Sequence, residues 1–450
     1  MSTRREFLRL MGLGAALLPF HGCKSMYSSN GAGPGKGKPN FMIWIADDQF
    51  LDSVGCYGAE PSHTPNIDRL AREGLRFARA YSTSSICTPA RSALLTRMYP
   101  IRNGAHPNHS GLKQDIPCMP STMHDLGYRT GIVGKEGLHT RPTRPNNTYV
   151  WDREFPLTDQ VISGAEWSED AAKKHREMDY AGVKDSISDR SQPFLLCVAS
   201  SLPHGPLLSR INNGLEGYPA NNWMADFQLG KYLQMLEEAG QAENTVVIFV
   251  SDNGSNTDRS KYTLYEAGVH VPMIIRWPGH IRPNTVTDAL VDFTDIMPTV
   301  LDLVGETAKI DFDGVSLVPL LRGTTDRSRS DLYLSFTGLG VNDVSDPYPI
   351  RAVVTERYKL IHFLNYEIAP VKGRGVDKSP EFELFDLIRD PDESVNLASD
   401  PSHAKTFEEM REKLNAWNLK VGDRGMATEL EAVAMFPDRL PASPQSGNTD

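Results

Sequence analysis

The sequence contains very little cysteine. Cysteine accounts for 5 of the 450 residues, and no two of these are spaced as Cys-x-x-Cys. Without paired spacings, the chain is neither a disulfide-stapled scaffold nor a cysteine-rich zinc protein. Each cysteine therefore needs its own explanation, and the five are Cys23, Cys56, Cys87, Cys118 and Cys197.

The sequence also lacks an excess of positive charge. Its formal net charge is −10 at pH 7, from 47 Lys and Arg residues against 57 Asp and Glu residues. A general nucleic-acid-binding protein presents a basic surface, so the composition argues against that class. An anionic substrate remains compatible with this charge if basic residues are concentrated in one pocket.

No apolar run is long enough for a permanent membrane span. The run at 10–20 follows a pair of arginines, so residues 1–23 are interpreted as a twin-arginine export signal. Gly-Cys at its end resembles a lipoprotein cleavage site, and a lipidated and an unlipidated Cys23 are equal alternatives. Residues 24–38 are predicted to be a flexible linker. We expect export through the Tat translocon of a bacterium, to the periplasm or to a lipid-anchored position at the cell surface.

Four apolar runs in the chain end at polar residues. Such runs are typical of parallel strands that are buried on both faces. The carboxyl ends of parallel strands meet at one edge of a sheet, where ligands bind in open α/β folds. A single polar group after a strand more often belongs to a turn or a solvated cap. Polar residues after four separate strands, however, predict the rim of an active site. The runs and their polar residues are 40–46 with Asp47 and Asp48, 130–134 with Lys135, 194–200 with His204, and 245–251 with Asp252 and Asn253.

The remaining periodicity predicts helices and a second set of strands. The predicted helices are 64–74, 121–127, 223–240, 294–304 and 401–419, and the further strands are 272–277, 290–293, 351–363 and 382–387. The core contacts predicted for the helix at 223–240 are Phe227, Leu229, Leu233 and Leu236.

A charge-rich stretch at 322–329 predicts a domain boundary. We expect a catalytic domain at 39–325, a C-terminal subdomain at 326–437 and a disordered tail at 438–450. The fold class is α/β, with a large mixed and mostly parallel sheet between helices. The smaller subdomain is α+β with an antiparallel sheet.

The polar rim offers the ligands of a hard cation. Asp47, Asp48, Asp252 and Asn253 have only oxygen ligands, which suit calcium or magnesium rather than zinc or copper. The cationic groups at the same rim imply an anionic substrate group such as sulfate or phosphate; these groups are Arg91, Lys135, His204 and Lys261.

Cys87 precedes the helical stretch 88–96, with Pro89 in its first turn. The simplest interpretation is a buried structural cysteine. A thiolate is, however, a poor ligand for a hard cation, which suggests that Cys87 does not act as a thiol.

The stretch Cys87-Thr88-Pro89-Ala90-Arg91-Ser92-Ala93-Leu94-Leu95-Thr96 resembles the signature of the type I sulfatases, which have the alkaline-phosphatase-like fold. The resemblance extends over about 39–417, and includes the lysine-bearing segment 261–268 and the C-terminal motif 383–387. It implies that Cys87 is converted to formylglycine by a cytoplasmic formylglycine-generating enzyme before export. Calcium would be bound by residue 87 together with Asp47, Asp48, Asp252 and Asn253.

The resemblance also implies roles for the basic residues. Arg91 would steady the formylglycine hydrate, while Lys135, His204 and Lys261 would hold the sulfate and assist the leaving group. One hydrate oxygen would attack sulfur, the alcohol or amine would leave with a proton from His204, and the second hydroxyl would expel sulfate. The family has a histidine where this chain has Gly137, and His139 is a candidate substitute.

Several segments resemble the heparan N-sulfatase branch, namely 103–106, 265–268, 348–353 and 357–362. N-sulfoglucosamine of heparin or heparan sulfate is therefore the favoured substrate, with an O-sulfated glycan or an aryl sulfate as the alternative. The candidate substrate-binding residues are His106, His139 and Arg351, and a structural salt bridge is an equal alternative for Arg351. The rivals from other classes are a phosphoryl-transferring hydrolase and an inactive glycan-binding homologue.

Overall fold

The computed structural model describes residues 37–113, 116–134, 151–162, 165–166, 175–255, 257, 259–306, 312–338, 348–365 and 380–435. Several predictions lie outside these residues: the export signal at 1–23, nearly all of the linker, Lys135, Gly137, His139 and the tail at 438–450. Within the described part of the chain, no helix is both long enough and apolar enough to cross a membrane.

The described residues contain strands of two to ten residues. They are β1 Asn40–Asp47, β2 Leu75–Phe77, β3 Ala80–Tyr81, β4 Arg129–Gly134, β5 Arg153–Phe155, β6 Leu157–Val161, β7 Ala165–Glu166, β8 Arg176–Met178, β9 Phe194–Pro203, β10 Arg210–Ile211, β11 Thr245–Ser251, β12 Met273–Arg276, β13 Thr285–Thr287, β14 Val291–Asp292, β15 Asp331–Phe336, β16 Ile350–Thr355, β17 Tyr358–Phe363 and β18 Phe382–Asp386.

The α-helices range from one turn to six turns. They are α1 Pro65–Glu73, α2 Cys87–Thr96, α3 Pro100–Asn103, α4 Met119–Asp125, α5 Tyr180–Ser188, α6 Gly217–Glu238, α7 Glu266–Val269, α8 Ile296–Leu303, α9 Val318–Leu321, α10 Ala404–Val421 and α11 Met426–Met435. Short 3₁₀ turns lie at Leu51–Ser53, Gly55–Tyr57, Ala242–Asn244, Phe293–Asp295 and Pro401–His403.

The main sheet has eight strands in the order β13-β2-β12-β11-β1-β9-β4-β5. The run from β11 to β5 is parallel throughout, and β12 is antiparallel to both of its neighbours. The four strands predicted from apolar runs are the adjacent strands β11, β1, β9 and β4. This confirms the predicted mostly parallel α/β sheet.

Helices cover both faces of the main sheet. Successive residues of β1 point to opposite faces, so Ile43 lies in one apolar cluster and Trp44 in another. The Ile43 cluster includes residues of α2 and α8, whereas the Trp44 cluster includes residues of α1 and α6. Because both faces are buried, β1 is apolar from Phe41 to Ala46.

The C-terminal part of the described chain forms a second sheet. Its four strands run in the order β15-β16-β17-β18 and confirm the predicted antiparallel sheet, although β15 itself was not predicted. Met410 and Leu414 of α10 pack on this sheet against Leu360 and Leu384. The final helix, α11, was not predicted.

Helix α6 differs from its prediction in two ways. It begins at Gly217 rather than 223, and its six additional residues include buried asparagines. Leu229, Leu233 and Leu236 are buried as predicted, but the prediction for Phe227 was wrong, since its side chain is 38% exposed. Phe227 stacks on Trp223 one turn away along the helix, at 5.2 Å between ring centroids.

Candidate active site

The carboxyl ends of β1 and β11 bring four oxygen-bearing side chains together. Ala46 pairs with Ser251 in register, so Asp47 and Asp48 follow beside Asp252 and Asn253. All four of these polar side chains are buried. The backbone N–H of Asp252 donates to Ala46 O at 3.0 Å, and that of Asp48 donates to Asp252 Oδ1 at 3.1 Å. The two strand ends are therefore joined at the predicted rim.

Helix α2 directs Cys87 into this cluster. The helix begins at Cys87, and Pro89 lies in its first turn, as predicted. Cys87 Sγ lies 3.4 Å from Asp47 Oδ1. One ligand atom from each of Asp47, Asp48, Cys87 and Asp252 lies within 4.8 Å of the others. The sulfur atom of Cys87 therefore lies beside the carboxylate oxygens that could bind a metal ion.

Arg91 lies one helical turn after Cys87 and is fully buried. Its Nε and Nη2 donate to Asp252 Oδ2 at 2.9 and 2.6 Å, and Nη2 is 3.6 Å from Asp47 Oδ1. Burial alone would lower the pKa of Arg91, but the carboxylates of Asp252 and Asp47 raise that pKa above its ordinary value. Arg91 is therefore a permanent cation that ties α2 to β11.

Lys261 and His204 approach the same cluster from two loops. Lys261 Nζ donates to both oxygens of Asp48, at 2.7 and 2.8 Å. Burial alone would lower the pKa of Lys261, but the electrostatic effects of Cys87, Asp48 and Asp47 raise that pKa overall. His204 Nε2 lies 3.5 Å from Asp48 Oδ2. Two basic groups, one buried and one partly exposed, therefore approach the carboxylate of Asp48.

The residues present fit a hard divalent cation. Three buried carboxylates, from Asp47, Asp48 and Asp252, face the cations Arg91 and Lys261, which leaves a residual negative charge. Asn253 Nδ2 donates to Asp48 Oδ1 at 2.7 Å, but Asn253 Oδ1 is buried without a hydrogen-bond partner. An unpaired buried oxygen beside carboxylates is suited to calcium or magnesium.

The structure places two other predicted residues elsewhere. Arg351 is fully buried in the second sheet, where Nε donates to Asp423 Oδ2 at 2.6 Å and Nη2 donates to Glu429 Oε1 at 2.5 Å. His106 is also buried, and neither of its ring nitrogens has a hydrogen-bond partner. Burial lowers the pKa of His106, against the opposing effect of Glu429. Among the described residues, neither is hydrogen-bonded to the carboxylate cluster.

The geometry of Arg351 favours the salt-bridge alternative. We expect Arg351→Met to reduce the free energy of unfolding by about 3–5 kcal/mol, because it leaves two buried carboxylates without their cation. Denaturant titration measures this loss. As a control, Arg411→Met removes a surface pair in which both side chains are about half exposed, and should change stability far less. A raised KM with unchanged stability would instead support substrate binding by Arg351.

Sequence reasoning missed the contacts that support the rim. Tyr218, in the first turn of α6, donates its hydroxyl to Asp48 O at 3.0 Å. Asn222 accepts from Gln49 Nε2 at 2.5 Å, next to Asp48. Both residues precede the predicted start of the helix at 223, so no periodic signal marked them.

Two family models match the chain. Residues 39–306 match the model described as Sulfatase. Residues 258–420 match the model described as N-sulphoglucosamine sulphohydrolase, C-terminal. Together the two matches cover both sheets and the carboxylate cluster.

Curated proteins and a solved structure are similar to this chain. An ulvan-active sulfatase of Formosa agariphila is 31% identical over 426 residues, covering 86% of this chain and 81% of that protein. Human N-sulphoglucosamine sulphohydrolase is 27% identical over 477 residues, covering 85% and 90%. A structure solved with its substrate D-glucosamine-2-N,6-O-disulfate has a TM-score of 0.66 at 21% identity, covering 86% and 99%. That structural likeness bears on the fold alone.

Proposed function

The chain belongs to the sulfatase family of sulfuric ester hydrolases, and on that premise we propose that it removes sulfate from a sulfated glycan at the Cys87 cluster. The single observation that carries the proposal is the meeting of three carboxylates, two buried cations and a cysteine at one edge of the sheet. Similarity to an ulvan-active sulfatase supports a sugar substrate.

We propose that Cys87 is the precursor of formylglycine, whose hydrate supplies the nucleophile. A thiol 3.4 Å from a carboxylate in a hard-cation site is a poor metal ligand, whereas an aldehyde hydrate offers oxygen atoms. Its place at the start of α2 also exposes the group to backbone N–H donors, which favour negative charge. Conversion to the aldehyde breaks the Cβ–S bond of Cys87 and forms a Cβ=O bond, with the sulfur released and the oxidant supplied through the proposed formylglycine-generating enzyme.

The proposed metal is calcium, with magnesium less favoured. Asp47, Asp48, Asp252 and Asn253 would hold it together with residue 87. Carboxylate and amide oxygens are the kind of ligand that calcium prefers. A bound divalent cation polarises an oxygen bonded to sulfur and lowers the cost of negative charge there.

The basic side chains have separate tasks in the proposed reaction. Arg91 forms ion pairs with Asp252 and Asp47 and so keeps these carboxylates beside residue 87. Lys261 and His204, which both approach Asp48, attract the negative oxygens of sulfate. His204 also donates a proton to the atom that leaves sulfur. Lys135 is assigned to sulfate binding on the basis of the resemblance to the family alone.

N-sulfoglucosamine of heparin or heparan sulfate is the proposed substrate. The match of residues 258–420 to the N-sulphoglucosamine sulphohydrolase C-terminal model supports this choice. Export by the twin-arginine route to the periplasm or the cell surface would place the enzyme where it meets such polymers. The alternatives are an O-sulfated glycan or aryl sulfate, and an inactive glycan-binding protein.

The substrate is tested by sulfate release from the purified, matured protein. We expect kcat/KM for N-sulfoglucosamine to exceed that for 2-O- or 6-O-sulfated glucosamine by at least about tenfold, a difference of about 1.4 kcal/mol in transition-state binding. A preference for an O-sulfated sugar would instead select the O-sulfatase alternative. Turnover of phosphate esters only would favour a phosphoryl hydrolase, and glycan binding without turnover would favour the inactive homologue.

A further inference from the structure

Helix α6 carries amide side chains on its buried face. Asn221, Asn222 and Gln228 are each no more than 2% exposed. Asn222 is hydrogen-bonded to Gln49, which follows β1, and Gln228 is hydrogen-bonded to Ser200 near the carboxyl end of β9. Asn221 is hydrogen-bonded to the loop that follows β9. A buried helix face is normally apolar, so this row of amides calls for a specific explanation.

Asn221 holds the loop that carries His204. Its Nδ2 lies 3.2 Å from Pro203 O, 3.1 Å from His204 O and 3.4 Å from Pro206 O. Its Oδ1 accepts the backbone N–H of Leu208 at 2.8 Å. One side chain thus satisfies the backbone on both sides of His204, and the two amide hydrogens are shared among three carbonyl oxygens.

His175 holds the same loop from another side. Its Nε2 lies 3.0 Å from Pro206 O, and because a carbonyl can only accept, Nε2 carries the proton. His175 Nδ1 is hydrogen-bonded to Ser201 Oγ at 3.0 Å. The loop is therefore anchored at several backbone atoms rather than resting on the surface.

The ring orientation of His204 depends on that backbone. His204 Nδ1 donates to Gly205 O at 2.6 Å, within the loop that Asn221 holds. This hydrogen bond leaves Nε2 as the nitrogen that faces Asp48 Oδ2 at 3.5 Å. A displacement of the carbonyl of Gly205 would turn the ring and carry Nε2 away from Asp48.

We propose that Asn221 is a positioning residue that aims His204 Nε2 into the active site. The proposal rests on the proposed function of His204 as proton donor. Truncation of Asn221 would leave Leu208 N–H and the loop carbonyls without their buried partner, so the loop would shift. A shift of about 1 Å in a catalytic group can reduce turnover about 10²-fold.

The test combines two substrates with a double-mutant cycle. Asn221→Ala should reduce kcat for the sulfated sugar about 10–100-fold, with KM nearly unchanged. For 4-nitrophenyl sulfate, whose leaving group needs no proton, the loss should be less than about threefold. In the His204→Ala background, Asn221→Ala should cause no further loss. Asn221→Ser, which keeps a hydroxyl donor, should recover part of the activity and is the second variant if the alanine variant does not fold.

Asn40→Ala is the matched control. Asn40 is also buried, and its amide also makes two hydrogen bonds, but it lies at the amino end of β1, on the opposite edge of the sheet. It should leave both activities unchanged. Equal losses on both substrates, or additive losses with His204→Ala, would overturn the proposal. If His204→Ala itself reduced both activities equally, the proton-donor role would fail, while the cycle would still report whether Asn221 acts through His204.

Discussion

Replacement of Cys87 by alanine is expected to abolish sulfate release, with a loss of at least about 10⁴-fold in kcat. Alanine has no thiol to be oxidised and no heteroatom beside Asp47, whose Oδ1 lies 3.4 Å from Cys87 Sγ. A loss of this size follows removal of the attacking group, whereas a misplaced neighbour costs about 10²-fold. Kinetics of sulfate release from the sulfated sugar measure the effect.

Cys118→Ala provides the matched control for this experiment. Cys118 and Cys87 are both 6% exposed, and both lie at the start of a helix. The thiol of Cys118 contacts Ser121 and has no contact with the carboxylate cluster. Its replacement should therefore preserve activity. Activity above about a tenth of the original in the Cys87 variant would refute the assignment of the nucleophile.

Peptide mass mapping separates the proposed aldehyde from a plain thiol at residue 87. Protein produced together with a formylglycine-generating enzyme should carry the aldehyde and be active. Protein produced without it should fold and be inactive, because an unmodified thiol lacks the hydrate oxygen that would attack sulfur. Full activity with an unmodified thiol would contradict the proposed mechanism.

The central strands could be predicted because their burial is visible in the local sequence. β1 and β11 are buried on both faces, so each is an unbroken apolar run that stops where the sheet ends. The carboxylates that follow both strands then meet because the strands are parallel neighbours. In this region, the local sequence alone therefore indicates which residues lie at the site.

Other contacts could not be predicted because their partners are distant in the chain. Arg351 lies 72 residues from Asp423 and 78 from Glu429, and no short-range pattern joins them. Asn221 lies 17 residues from His204, before the point where helical periodicity becomes clear. Polar residues in a buried face carry no periodic signal, so supporting contacts of this kind emerge only from the folded chain.

The second large effect is expected at Asp252, which serves both Arg91 and the proposed metal. Asp252→Ala should reduce the free energy of unfolding by about 3–5 kcal/mol, because it leaves the guanidinium of Arg91 buried without its closest carboxylate. Arg91 is fully buried and lies 2.6 Å from Asp252 but 3.6 Å from Asp47, so Asp47 offers only partial compensation. Denaturant titration in the absence of calcium isolates this contribution.

Calcium then separates the metal role of Asp252 from its structural role. In the unsubstituted protein, free calcium at about 100 times its dissociation constant should add about 2.7 kcal/mol of stability, and chelation should remove it. Asp252→Ala should lose this response as well as the ion pair. Glu238→Ala, which removes an exposed pair with Lys184, should lose little stability and keep the full calcium response. If calcium still stabilises Asp252→Ala, the cation binds elsewhere. If the calcium response is lost but the stability without calcium is unchanged, Asp47 alone can compensate the charge of Arg91.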